Sequence, residues 1–108
     1  MSKILLTIAI GLMLSGVVTS ASAVTLMGKV SCGLWTVERT ENRQGSKIWL
    51  MGFLSGTVVA TGKDVLDGTD ADSLNLWMDN YCKANPLKMV NDGAGVLYNE
   101  LKKQKNIK

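Results

Sequence analysis

The chain contains no histidine. It therefore lacks the side chain most used for proton transfer near neutral pH and the commonest metal-binding nitrogen. Two cysteines without a histidine are too few for a zinc site of the usual four protein ligands. A single proline excludes a stiff Pro-rich linker. There is no internal repeat and no low-complexity stretch. The net charge is only +3, and Lys3 supplies one unit of it. The one basic cluster is the tail Lys102, Lys103, Lys105 and Lys108, which complements the negative end of a helix rather than forming a nucleic-acid footprint. Gly52-Phe53-Leu54-Ser55-Gly56 has no Lys-Ser/Thr behind it, so it is not a phosphate loop. Asp79 and Asp92 read as solvated helix-surface acids, not as a catalytic pair. These gaps point away from an enzyme and from any metal or cofactor.

What is present begins with an export signal. Lys3 precedes the apolar run Ile4 to Leu14, residues 15–22 turn small and polar, and Ala21-Ser22-Ala23 is an A-x-A cleavage site. The run is well short of the ~20 residues of a spanning helix, which disfavours the alternative of an uncleaved anchor. Val17 stands where a lipidation site would need cysteine. The signal is read as residues 1–23, and residues 24–108 as one domain, with no membrane association after cleavage. In an exported chain an even cysteine count favours a disulfide over two free thiols, here Cys32 with Cys82. The long loop between them would stabilise the fold by about 4 kcal/mol.

Periodicity then gives an all-α bundle of about four helices. Ser31 caps a first short helix with Cys32, Trp35 and Arg39 on one face. Arg39 is placed to meet a carboxylate or helix carbonyls. Lys47 to Thr61 reads as a buried core helix, with Gly52 and Gly56 allowing close backbone approach and Gly62 as its stop. Thr69 or Asp70 caps a third helix, whose stripe Leu74, Trp77, Met78, Tyr81 and Cys82 is the clearest in the chain. Asn85-Pro86 reads as cap and first residue of a fourth helix carrying Leu87, Val90, Ala94, Leu97 and Leu101. Gly93 and Gly95 imply close packing. The three tryptophans, Trp35, Trp49 and Trp77, fall on apolar stripes and read as core. Trp77, central on the best stripe, is expected to cost about 3–5 kcal/mol on truncation to alanine. The segment 62–72 sets Val65 and Leu66 among Asp64, Asp67, Asp70 and Asp72. It reads either as an ordinary helix connection or as a binding epitope.

Three segments resemble a known family. Ser-Cys-Gly-x-Trp at 31–35, Trp-Leu-Met-Gly-Phe-Leu-Ser-Gly at 49–56 and Trp-Met-Asp-Asn-Tyr-Cys-x-x-Asn-Pro-Leu at 77–87 resemble the Rap/Tai immunity proteins. The resemblance implies a helical periplasmic protein, often a homodimer. It implies a partner, a type VI secretion effector that cuts peptidoglycan peptide cross-links as an amidase. It also implies a protruding loop that plugs the effector's cleft. By position that loop is 62–69, with Asp64, Val65, Leu66 and Asp67, and Asp70 just beyond, as partner-binding residues. The competing expectation is an envelope-stress or acid-stress chaperone-like protein with no toxin partner.

Overall fold

The computed structural model describes residues 24–108. The signal sequence read at 1–23 lies outside them. Four helices follow in order: α1 (Cys32–Thr40), α2 (Gly45–Thr61), α3 (Ala71–Ala84) and α4 (Val90–Gln104). Among the described residues there is no strand, only an isolated bridge between Ser31 and Met89. None of these helices is long and apolar enough to cross a membrane.

Local chemistry sets each start. The Ser31 hydroxyl accepts the Leu34 N–H at 3.0 Å and caps α1. Asp70 caps α3 by accepting the Ser73 N–H at 2.8 Å. α2 begins two residues before Lys47, at Gly45. Its own Gln44 provides no side-chain cap. The Glu38 carboxylate of α1 reaches across and accepts the Ser46 N–H at 2.7 Å. That hydrogen bond holds the Glu38 carboxyl below its ordinary pKa. Gly62, in the left-handed conformation at φ 69°, ends α2.

The fourth helix begins later than Asn85-Pro86 suggests. Asn85 instead closes α3, donating both its backbone N–H and its side-chain amide to the Tyr81 carbonyl at 2.9 Å. Residues 86–88 turn, and α4 starts at Val90 with Asp92 accepting the Met89 N–H. The reason lies in the chain entering α1. Cys32 N–H donates to the Lys88 carbonyl at 3.0 Å, and Val90 N–H donates to the Val30 carbonyl at 2.7 Å. An extended backbone at Met89 serves that pairing. Leu87 consequently stands 98% exposed.

α1 packs on α2 and α3, α4 packs on α3 and α2, and the core lies inside this ring. Trp35, Leu50, Leu54, Val65, Met78, Val90 and Leu97 are its main buried side chains. Cys32 and Cys82 are bonded, with a Cα–Cα distance of 5.0 Å, and tie α1 to α3. Among the tryptophans only Trp35 is fully buried, while Trp49 and Trp77 are half-buried and pack on the core. Each stacks on an aromatic four residues on: Trp49 on Phe53 at 5.4 Å and Trp77 on Tyr81 at 5.5 Å. Truncating the half-buried Trp77 should therefore cost less than truncating Trp35.

α2 is less buried than its composition suggests. Ser46, Leu50 and Leu54 face inward, yet Ile48 and Val59 are exposed. A Cβ on Gly52 or Gly56 would meet nothing within 4 Å. Among the described residues, their pairing serves no helix packing. Gly93 is different, because a Cβ there would lie 2.7 Å from the Tyr81 ring and 2.8 Å from the Met78 sulfur. A Cβ on Gly95 would meet nothing within 4 Å.

Two outcomes follow for stability. Gly95→Ala should stabilise by up to about 1 kcal/mol through helix propensity. Gly93→Ala should destabilise, because overpacking costs about 1–3 kcal/mol against the same gain. Urea midpoints of the two variants should shift in opposite directions. The double variant Cys32→Ser/Cys82→Ser should lose about 4 kcal/mol in the same assay.

Candidate functional site

The connection between α2 and α3 joins two helices that are not principal partners, so it crosses one end of the bundle. It is fastened from within. Val65 is fully buried, and Leu66 is half-buried against the core. Two internal hydrogen bonds shape it: Val65 N–H to the Lys63 carbonyl and Thr69 N–H to the Leu66 carbonyl, both 2.9 Å. Gly68 takes φ 74°, a conformation glycine adopts without strain. Asp64, Asp67 and Asp70 are exposed. Asp70 is occupied as the α3 cap, and its hydrogen bonds to the Ser73 backbone and hydroxyl lower its pKa.

The structure thus divides the expected binding residues. Val65 is an internal anchor and offers no surface to a partner. Leu66 offers part of its side chain, and Asp64 and Asp67 offer free carboxylates around it. Beside the loop, a groove between α3 and α4 is floored by Leu74, Leu97 and Leu101 and edged by Trp77. Loop and groove form one continuous end of the molecule.

The sequence reading missed a second polar cluster. Asp79 is not a free surface acid. The Trp35 indole N–H donates to Asp79 Oδ1 at 2.7 Å. Arg39 grips both oxygens, Nε to Oδ1 at 2.9 Å and Nη2 to Oδ2 at 2.8 Å. Partial burial raises the Asp79 pKa, but the Arg39 and Trp35 hydrogen bonds and the nearby charge of Arg39 outweigh it and leave the value below the ordinary one. The same pairing raises Arg39. A signal for this contact was present. Asp79 lies three residues before Cys82, and Trp35 and Arg39 lie three and seven after Cys32. Once the cysteines are joined with the helices antiparallel, these side chains share the seam. An open groove lined by Thr36, Arg39, Thr40, Asp79 and Lys83 runs beside it. With its carboxylate fully engaged, Asp79 is a structural clamp rather than a general base.

A third groove lies between the first half of α2 and the start of α3, lined in part by Ile48, Met51, Gly52 and Asn75. Asn75 is buried, and its Oδ1 has no hydrogen-bond partner among the described residues. Among the described residues no group of three or more His, Cys, Asp or Glu side chains is placed to hold a metal ion.

Comparison with protein-family models, curated proteins and solved structures returns no match to this chain.

The Asp79 clamp makes a prediction about acid. A depressed carboxyl pKa contributes stability that is fully present above the ordinary value of 3.8 and is lost as pH falls below it. Asp79→Asn should cost about 1–2 kcal/mol at neutral pH, as loss of a charge-assisted hydrogen bond does. It should also flatten the fall in stability below about pH 4. Urea midpoints measured across pH for parent and variant read both effects; parallel curves would refute the assignment.

Proposed function

We propose that this chain is an exported immunity-type protein that binds a peptidoglycan-cleaving amidase and occludes its active-site cleft. The reading is of a periplasmic binding protein without catalysis of its own. The observation that carries it is the braced loop: Val65 sunk in the core supports Leu66 and two free carboxylates at one end of a disulfide-linked bundle. The motif resemblance to the Rap/Tai family, which spans all three core segments, supports the same reading. So does the disulfide, which fits an oxidising compartment.

The mechanism follows from that geometry. An amidase cleft is a groove shaped for a peptide, with hydrogen-bond donors for a carbonyl oxygen near its nucleophile. A loop that presents carboxylates to those donors and an apolar side chain to the groove excludes substrate. It offers no extended backbone to cut, because 65–68 is a turn. The apolar anchor supplies most of the affinity, and the surrounding charges mainly set the association rate.

The decisive experiment is a binding titration against a small Cys-His amidase encoded beside this chain. Leu66→Ala should weaken binding by about 2 kcal/mol. Asp67→Asn should act chiefly on the association rate and its salt dependence. Val65→Ala should destabilise the fold by about 2 kcal/mol, since it empties a buried position. If loop variants bind like the parent while changes on a helix face abolish binding, the interface lies elsewhere. If no amidase binds, an envelope-stress role without a toxin partner takes its place.

A further inference from the structure

The loop described above is held from inside at Val65, but that anchor does not reach its tip. Asp67 and Gly68 are exposed, and the backbone hydrogen bonds of the loop end at Leu66 and Thr69. One outside group reaches the tip. The ammonium of Lys105 donates to the backbone carbonyl of Asp67. The same Nζ lies 3.9 Å from where a Cβ on Gly68 would sit, which places the ammonium beside the tip.

Lys105 is itself well rooted. It is the C-cap of α4, with its N–H donated to the Leu101 carbonyl at 3.2 Å. Asn106 turns the chain at φ 55°, and Ile107 N–H returns to the Lys102 carbonyl at 2.9 Å. Ile107 then packs half-buried against the core. The tail is folded back on the bundle, and Lys105 projects from a fixed base. A cation there also completes the negative end of the α4 dipole.

We propose that Lys105 is a positioning residue for the binding loop. Its ammonium fixes the Asp67–Gly68 tip from outside, so that Leu66 and the two free carboxylates meet a partner already in place. This rests on the inhibitory reading for the word partner, but the fixing of the tip does not. A pre-ordered loop binds more tightly because less conformational freedom is lost on association.

The test uses the chain as processed, with three variants: Lys105→Met, Lys105→Arg, and Lys103→Met as an exposed control on the same helix. Hydrogen exchange of the Thr69 amide, which closes the loop on the Leu66 carbonyl, is measured on the free protein, alongside circular dichroism and the melting midpoint. Lys105→Met should speed that exchange about fivefold with the helices intact. Lys105→Arg should restore slow exchange, and Lys103→Met should leave it unchanged. Affinity for the amidase should fall about fivefold in Lys105→Met and recover in Lys105→Arg. Unchanged exchange in Lys105→Met overturns the proposal whether or not any amidase binds. Faster exchange with unchanged affinity for a binding amidase overturns the positioning role. If the parent binds no amidase, the inhibitory reading fails, and the exchange data alone decide whether Lys105 fixes the tip.

Discussion

The seam between α1 and α3 is the constraint on which the rest of this molecule depends. A chain this short has a small core, and the balance between buried area and chain entropy leaves little to spare. The Cys32–Cys82 bond removes much of the unfolded chain's freedom. It also fixes the register of the two helices it joins. With that register set, Trp35 and Arg39 arrive at Asp79 without further adjustment. The seam then runs from a covalent bond, through an indole hydrogen bond, to a two-oxygen ion pair at the surface. Burial falls and polarity rises along it in the same direction.

That arrangement separates two tasks. The seam and the backbone pairing of residues 30–32 with 88–90 fix one side and one end of the bundle. The other end is left to the α2–α3 connection and the α4 terminus, where the exposed chemistry sits. Under the proposed function, stability and recognition draw on different residues. Val65 and Leu66 join the two regions, Val65 turned inward as the loop's anchor and Leu66 partly outward.

How much of this was legible in the sequence depends on which force decides each position. Helix number and the α1 and α3 caps follow from local rules, the disulfide from an even cysteine count in a chain read as exported, and all of these match the structure. Asp79 was misplaced because its position was judged from the apolar stripe of one helix. Its environment is set by a neighbouring helix and a covalent register that spacing alone does not convey. The start of α4 was misplaced because Asn85-Pro86 is a sound local start signal, overridden by backbone pairing to a distant segment. The exposure of Gly52, Gly56 and Val59 was invisible, since a helix whose one charge is Lys47 near its start reads as buried whatever surrounds it. In the loop, composition located the acids and apolar pair correctly but could not say which apolar residue turns inward. That choice depends on how the connection crosses the bundle end.

The backbone clamp between Val30 and Val90 has a practical consequence. It places the chain leading into α1 at the start of α4, whereas Lys105 and the loop lie at that helix's far end. A helix of this length spans about 22 Å. The two termini of the described chain are therefore at opposite poles. A linker, label or surface attachment joined before Val24 would leave the loop pole facing outward and unobstructed. The same attachment after Lys108 would crowd it. For immobilised binding work, orientation is set by the choice of terminus.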